Sequence, residues 1–157
     1  MSYEGDGEIS AVHRPEDGVE LLKVSATAAA RFIATGSSTD GRYGLFRWDM
    51  AERAGGASPH FHRTFSEAFF ILSGNVRLYN GAKWLSATGG DFFYVPEGGV
   101  HGFRNDADEA ASMLILFAPG APRERYFEEL AEISASGRRL SDEEWTELFT
   151  RHDQYMV

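Results

Sequence analysis

The 157-residue sequence contains no cysteine. This excludes disulfides, thiolate metal sites and thiol nucleophiles together, and it suits a reducing cytoplasm. Positive charge is in short supply: 15 Lys and Arg face 24 Asp and Glu, for a formal net charge of −9. So acidic a surface repels phosphate backbones, and nucleic acid is not an expected partner. Long hydrophobic runs are missing too. Apolar stretches such as 113–118 fall far short of a membrane span. The first residues, Met1-Ser2-Tyr3-Glu4-Gly5-Asp6, are polar and acidic and lack a signal-peptide pattern. The expectation is a soluble, cytoplasmic protein with no membrane association.

What is present points to an all-β domain of ordinary single-domain size. Seventeen glycines and twelve phenylalanines suit tight turns and aromatic-packed strands. Residues 1–18 are polar and read as a mobile lead-in. Apolar segments at 19–24, 29–34 and 43–50 follow, the last two divided by a Gly-Ser-Thr-Asp loop. Between 68 and 99, short apolar strands alternate with turns: Ser73-Gly74-Asn75, Asn80-Gly81, Gly89-Gly90-Asp91 and Pro96-Glu97-Gly98-Gly99. Asn80-Gly81 predicts a type I′ hairpin. Strands at this spacing suggest a sandwich or barrel over 19–118, closing with a strand at 112–117.

From 119 to 157 the period becomes helical. Pro122 suits a first turn, Tyr126, Phe127, Leu130 and Ile133 share a face, and Gly137 suits a helix end. Ser141 and Glu144 have capping-box spacing ahead of Trp145, Leu148 and Phe149. Two helices this short do not stand alone, so they are expected to dock on the barrel or on a second subunit.

Of the five histidines, His60 and His62 flank Phe61. Residues two apart in a strand face the same side, so both imidazoles can address one ion at about 2 Å. Glu67 follows after Arg63-Thr64-Phe65-Ser66, long enough for a turn that brings it back toward the pair. His101 follows the Pro96–Gly99 turn and needs a later strand laid beside the first. Taken singly, each of these is more often a surface or packed residue. His13 and His152 stand outside this arrangement and are not expected to bind metal.

Jointly, the residues resemble the two motifs of the cupins. The first is matched by Gly55 or Gly56, His60, His62, Glu67 and Gly74, with the leading glycine slightly closer than usual; the second by Gly90, Pro96, Gly98, His101 and Asn105. The resemblance implies a double-stranded β-helix, or jelly roll, to which the two short C-terminal helices read above are appended. It also implies a metal held inside by His60, His62, Glu67 and His101, and a homodimer. Three imidazoles and a carboxylate suit one divalent ion of Fe, Mn, Co, Ni, Cu or Zn. Asn105 is expected to bond backbone. Phe61, Phe65, Phe69, Phe92, Tyr94 and Phe103 are candidate pocket walls, with core packing the commoner role. Arg47, Arg63 and Arg104 are read as solvated charges.

The same likeness, to quercetinase-like and diketone-cleaving enzymes, implies a dioxygenase acting on an enol or phenol-type small molecule. In that reading Glu67 doubles as the catalytic base. The alternatives are a metal-dependent cyclase, isomerase or lyase that uses no O₂, and a non-catalytic small-ligand binding module.

Overall fold

A computed structural model of the chain describes residues 2–157. Its strands are β1 (Glu20–Lys23), β2 (Ala28–Ala34), β3 (Gly44–Met50), β4 (His60–Phe61), β5 (Ser66–Ser73) and β6 (Asn75–Tyr79). They continue with β7 (Trp84–Thr88), β8 (Phe92–Val95), β9 (Gly102–Arg104) and β10 (Ala111–Ala118). Helices α1 (Arg123–Ser136) and α2 (Asp142–Arg151) come next, then a last short strand, β11 (Tyr155–Met156).

One sheet has six antiparallel strands in the order β1-β2-β3-β10-β5-β8. The other runs β7-β6-β9 and is extended by a His60–His101 bridge to β4, which pairs with β11. Period-two alternation sets the inner face. In β3, Phe46, Trp48 and Met50 are buried while their neighbours lie half-exposed; β10 does the same with Met113, Ile115 and Phe117. Registers place Phe32, Phe46, Ile115, Phe69 and Phe93 in one row across five strands. Each fully buried ring of this kind contributes about 1.5–3 kcal/mol. Phe103 of β9 reaches across to Trp48 and Phe69, with ring centroids 5.8 and 5.9 Å away, so the two sheets share one core. This is the jelly-roll barrel expected from the sequence.

The C-terminal helices form where expected. Gly137 ends α1 in the left-handed region at φ 68°, and Ser141 and Glu144 cap α2 reciprocally. Helix α1 docks on the barrel itself, with Phe127 seated 5.3 Å from Phe46 and 5.2 Å from Trp48. Two details differ from expectation. The Asn80-Gly81 hairpin uses a four-residue loop, and only Gly81 has positive φ (93°); the Asn80 side chain instead accepts from the amides of Ala82 and Lys83. This is the local side-chain capping that lets Asn make a turn without itself turning left-handed. The second is β11, which the sequence pattern did not announce. Among the described residues, no helix is long and apolar enough to cross a membrane.

Candidate metal centre

The His60-Phe61-His62 segment lies between His101 and β11, and its alternation sends both imidazoles inward, with ring centroids 4.8 Å apart. The backbones of His60 and His101 exchange two hydrogen bonds of 2.9 Å, which brings the distant histidine beside the pair. The turn ahead of His101 relies on Gly98, whose φ of 79° disfavours any side chain and whose amide donates to the His62 carbonyl at 2.7 Å. Glu67 lies two residues before Phe69 in β5 and so shares its inward face. His60, His62, Glu67 and His101 are all buried, and each offers a ligand atom within 4.8 Å of the others.

Hydrogen bonds orient the imidazoles. Nδ1 of His60, His62 and His101 contacts the carbonyls of Ser58, Asp153 and Gly99 at 2.7, 2.7 and 2.9 Å. A carbonyl only accepts, so each Nδ1 carries the proton and each Nε2 is left to face the cluster. The Nε2 atoms of His62 and His101 lie 3.0 and 2.6 Å from one Glu67 oxygen. Burial, with His101 nearby, pushes the His60 pKa down to about 3, so this imidazole is neutral across the physiological range. Burial alone would raise the Glu67 carboxyl, but His101 and His62 hold it well below the usual carboxylate range. Burial would likewise lower His101, and the Glu67 charge and hydrogen bond more than reverse it. An anionic carboxylate among three imidazoles with aligned Nε2 atoms is a donor set that can hold a divalent transition metal ion.

The support around this set is drawn from two regions. Phe65 stacks on His62 with centroids 4.3 Å apart. Asp153, just past α2, adopts a left-handed φ of 54° and, besides holding His62 through its carbonyl, accepts with its carboxylate from the amides of Arg63 and Thr64 and from the Thr64 hydroxyl. The turn leading to Glu67 is thus pinned by the tail.

Beside the cluster lies a cavity of about 90 Å³, lined by His60, Glu67, Trp48, Phe103, Arg123 and Tyr126 among others. Of the expected pocket walls, Phe103 borders it, while Phe65 and Phe69 are packed in the core. Phe92 and Tyr94 are a correction: they are 67% and 58% exposed because β8 turns them to the outer face of its sheet, opposite to Phe93. Phe61 also faces away from the cluster and stacks on Tyr155. Asn105 bonds the Ala51 and Glu109 carbonyls and the Ala107 amide. Arg47 and Arg104 pair with Asp49 and Asp106, and Arg63 lies over Tyr155. His152 pairs with Glu129 and His13 is exposed.

Arg123, Tyr126 and Gln154 were not anticipated as cavity residues. For Arg123 and Tyr126 a signal existed: Arg123 stands at the helical spacing of Tyr126, Phe127 and Leu130, a cation on an apolar stripe. Gln154 carries no such mark.

Comparison with known proteins agrees with this architecture. The Cupin domain family, Cupin_2, matches residues 46–117. The quercetin 2,3-dioxygenase of Bacillus subtilis (strain 168) is 25% identical over 115 residues, 73% of this chain and 33% of that protein. The chain therefore spans about a third of that relative's length. Among solved structures, KdgF from Halomonas sp. superposes with a TM-score of 0.61 at 14% identity, covering 70% of this chain and 94% of that one. The polyketide cyclase RemF from Streptomyces resistomycificus gives 0.56 at 19% identity, covering 71% and 80%. At such identities these likenesses show the fold alone. With the paired motifs, the barrel and the domain match converging, residues 46–117 match the cupin domain family and the chain has the cupin fold.

Proposed function

We propose that the protein is a metal-dependent dioxygenase that opens or cleaves an enol or phenol-type small molecule, with His60, His62, Glu67 and His101 as the metal ligands. The observation that carries this is the position of Glu67. It is the sole carboxylate on the cavity wall, anionic at neutral pH, and lines the open space together with His60. When bound, a divalent ion supplies a Lewis acid that stabilises the deprotonated substrate oxygen and orients it for reaction with O₂.

The protein's own groups do the rest. Glu67 receives the acidic proton of the substrate. Trp48, Phe103 and Tyr126 hold an apolar, water-poor space around the reacting carbon. The cavity alone accommodates only a small head group, since one water in the liquid occupies about 30 Å³. It shares Trp48, Gly56 and Leu130 with an open groove of about 500 Å³ along α1, which also has Ile133 and Trp145 on its walls. In this reading the enol enters first and the rest of the molecule lies in the groove.

The test is oxygen consumption by protein reconstituted separately with Fe, Mn, Co, Ni, Cu or Zn, using flavonol, diketone and smaller enol substrates. Uptake stoichiometric with product, and lost in Glu67→Gln, is expected. Metal-dependent turnover with no oxygen uptake would reassign the protein to the cyclase, isomerase or lyase class; saturable binding without turnover on any metal would make it a binding module.

A further inference from the structure

The cavity contains a second charged group that the reaction above does not use. Arg123 opens α1 and is only 4% exposed, yet no carboxylate forms an ion pair with it among the described residues. Its Nη1 donates to the His152 carbonyl at 2.7 Å and its Nη2 to the Gln154 side-chain oxygen at 3.1 Å. Its enclosed Nε has no hydrogen-bond partner. Four rings surround the guanidinium, the nearest being Tyr126 at 4.3 Å from its central carbon. Burying a cation without a counter-ion is costly, and neutral acceptors and ring faces offset only part of that cost. If the only role of Arg123 were to hold the tail, its two Nη bonds would suffice and an outward-facing guanidinium would serve. Instead it shares a wall with His60 and Glu67. Glu67 lies on the same wall but forms no ion pair with it, and one of its oxygens is engaged by His62 and His101.

We infer that Arg123 is an anion subsite and that the substrate carries a carboxylate directly on its carbonyl carbon, as in a 2-oxo acid, with the enolisable carbon on the other side of that carbonyl. This rests on the functional reading above and narrows its substrate class. A divalent ion and the guanidinium together outweigh the one carboxylate on the wall, so the cavity is cationic inside a protein of net charge −9. A planar carboxylate matches the guanidinium fork, and charge-assisted hydrogen bonds of this kind are stronger than those to a neutral ester.

The experiment compares pyruvate with its uncharged methyl ester. Binding is followed by tryptophan fluorescence in metal-free protein, where Trp48 borders the cavity, and by the visible spectrum of Co(II)-loaded protein. Pyruvate is expected to bind roughly tenfold more tightly than methyl pyruvate in both forms. In Arg123→Gln that preference collapses to within about twofold, while Co(II) stoichiometry and methyl pyruvate affinity are retained. Equal affinities in the metal-free wild type, no saturation by millimolar pyruvate, or a preference that survives Arg123→Gln overturns the assignment. Should Arg123→Gln not fold, wild-type protein decides alone: acetate, but not acetamide, must compete with pyruvate in the metal-free form, and equal competition refutes the subsite. Metal content and oxygen uptake are read independently. Loss of the pyruvate preference therefore leaves the metal-dependent reading standing, and absence of oxygen uptake leaves the anion subsite standing.

Discussion

The barrel and the C-terminal segment contribute to the site in different ways. Strands β4 and β5 and the turn before β9 supply the four side chains that converge on one point. The segment after β10 supplies none of them. It provides instead a buried cation, a phenol, an apolar plug and the carbonyl that aims His62. The barrel therefore determines what can be bound as an ion, and the appendage determines the shape and charge of the space beside it. A fold that keeps its centre constant can change substrates by exchanging what closes its mouth.

That division has a largest test on the barrel side. His101→Ala removes a proposed ligand that is 1% exposed and backbone-tethered to His60. It is expected to abolish stoichiometric metal after dialysis, measured by elemental analysis, whereas Arg123→Gln leaves the metal content intact. If both variants lose the ion equally, the division fails. Next in size is Asp153→Ala, which keeps the carbonyl but deletes the cap on Arg63 and Thr64. By analogy with other groups that orient ligands, metal affinity in a chelator competition should fall roughly tenfold.

Acid stability sharpens the contrast further. The unfolded chain protonates His60 near its ordinary value of about 6.5, while the folded protein holds it neutral to about 3. The metal-free protein thus loses stability from this group as pH falls through that window, by of order 1 kcal/mol per pH unit. His101 acts in the opposite sense: its raised value adds stability that is fully present below about 6.5 and is lost as pH rises through the folded value. Urea titrations of metal-free wild type, His60→Asn and His101→Gln should separate the two limbs, the first variant flattening the acid side and the second the alkaline side. The smallest effect is expected on the outer face of the barrel. Phe92→Ser on the exposed face should change stability by less than about 0.5 kcal/mol and leave the metal untouched. Phe70 lies opposite Phe92 across the edge-strand pair and is exposed as well. If the expected homodimer uses this face, sedimentation should show a dimer for wild type and a monomer for Phe92→Ser.

The metal cluster was legible because its chemistry is written in short-range terms. His60 and His62 share a face by strand period, Glu67 follows across one turn, and the Gly98 turn that delivers His101 has a recognisable glycine. The barrel was legible for the same reason, since inward and outward residues alternate in β3 and β10. Period alone did not say which face of a strand was the inner one, so Phe92 and Tyr94 were considered for the pocket when Phe93 was the inward residue. Arg123 shares the apolar stripe of α1, but its enclosure arises only when α1 docks on the barrel. Asp153 and Gln154 had no local pattern to read, because their roles arise only when β11 pairs with β4 across the length of the domain.

The carbonyl of Asp153 stands 91 positions after the imidazole it orients. On the ribosome, the His60–His62 pair emerges long before the residue that fixes its tautomer and direction. Any ion this cluster takes up would therefore meet its full set of oriented imidazoles only after the tail has docked.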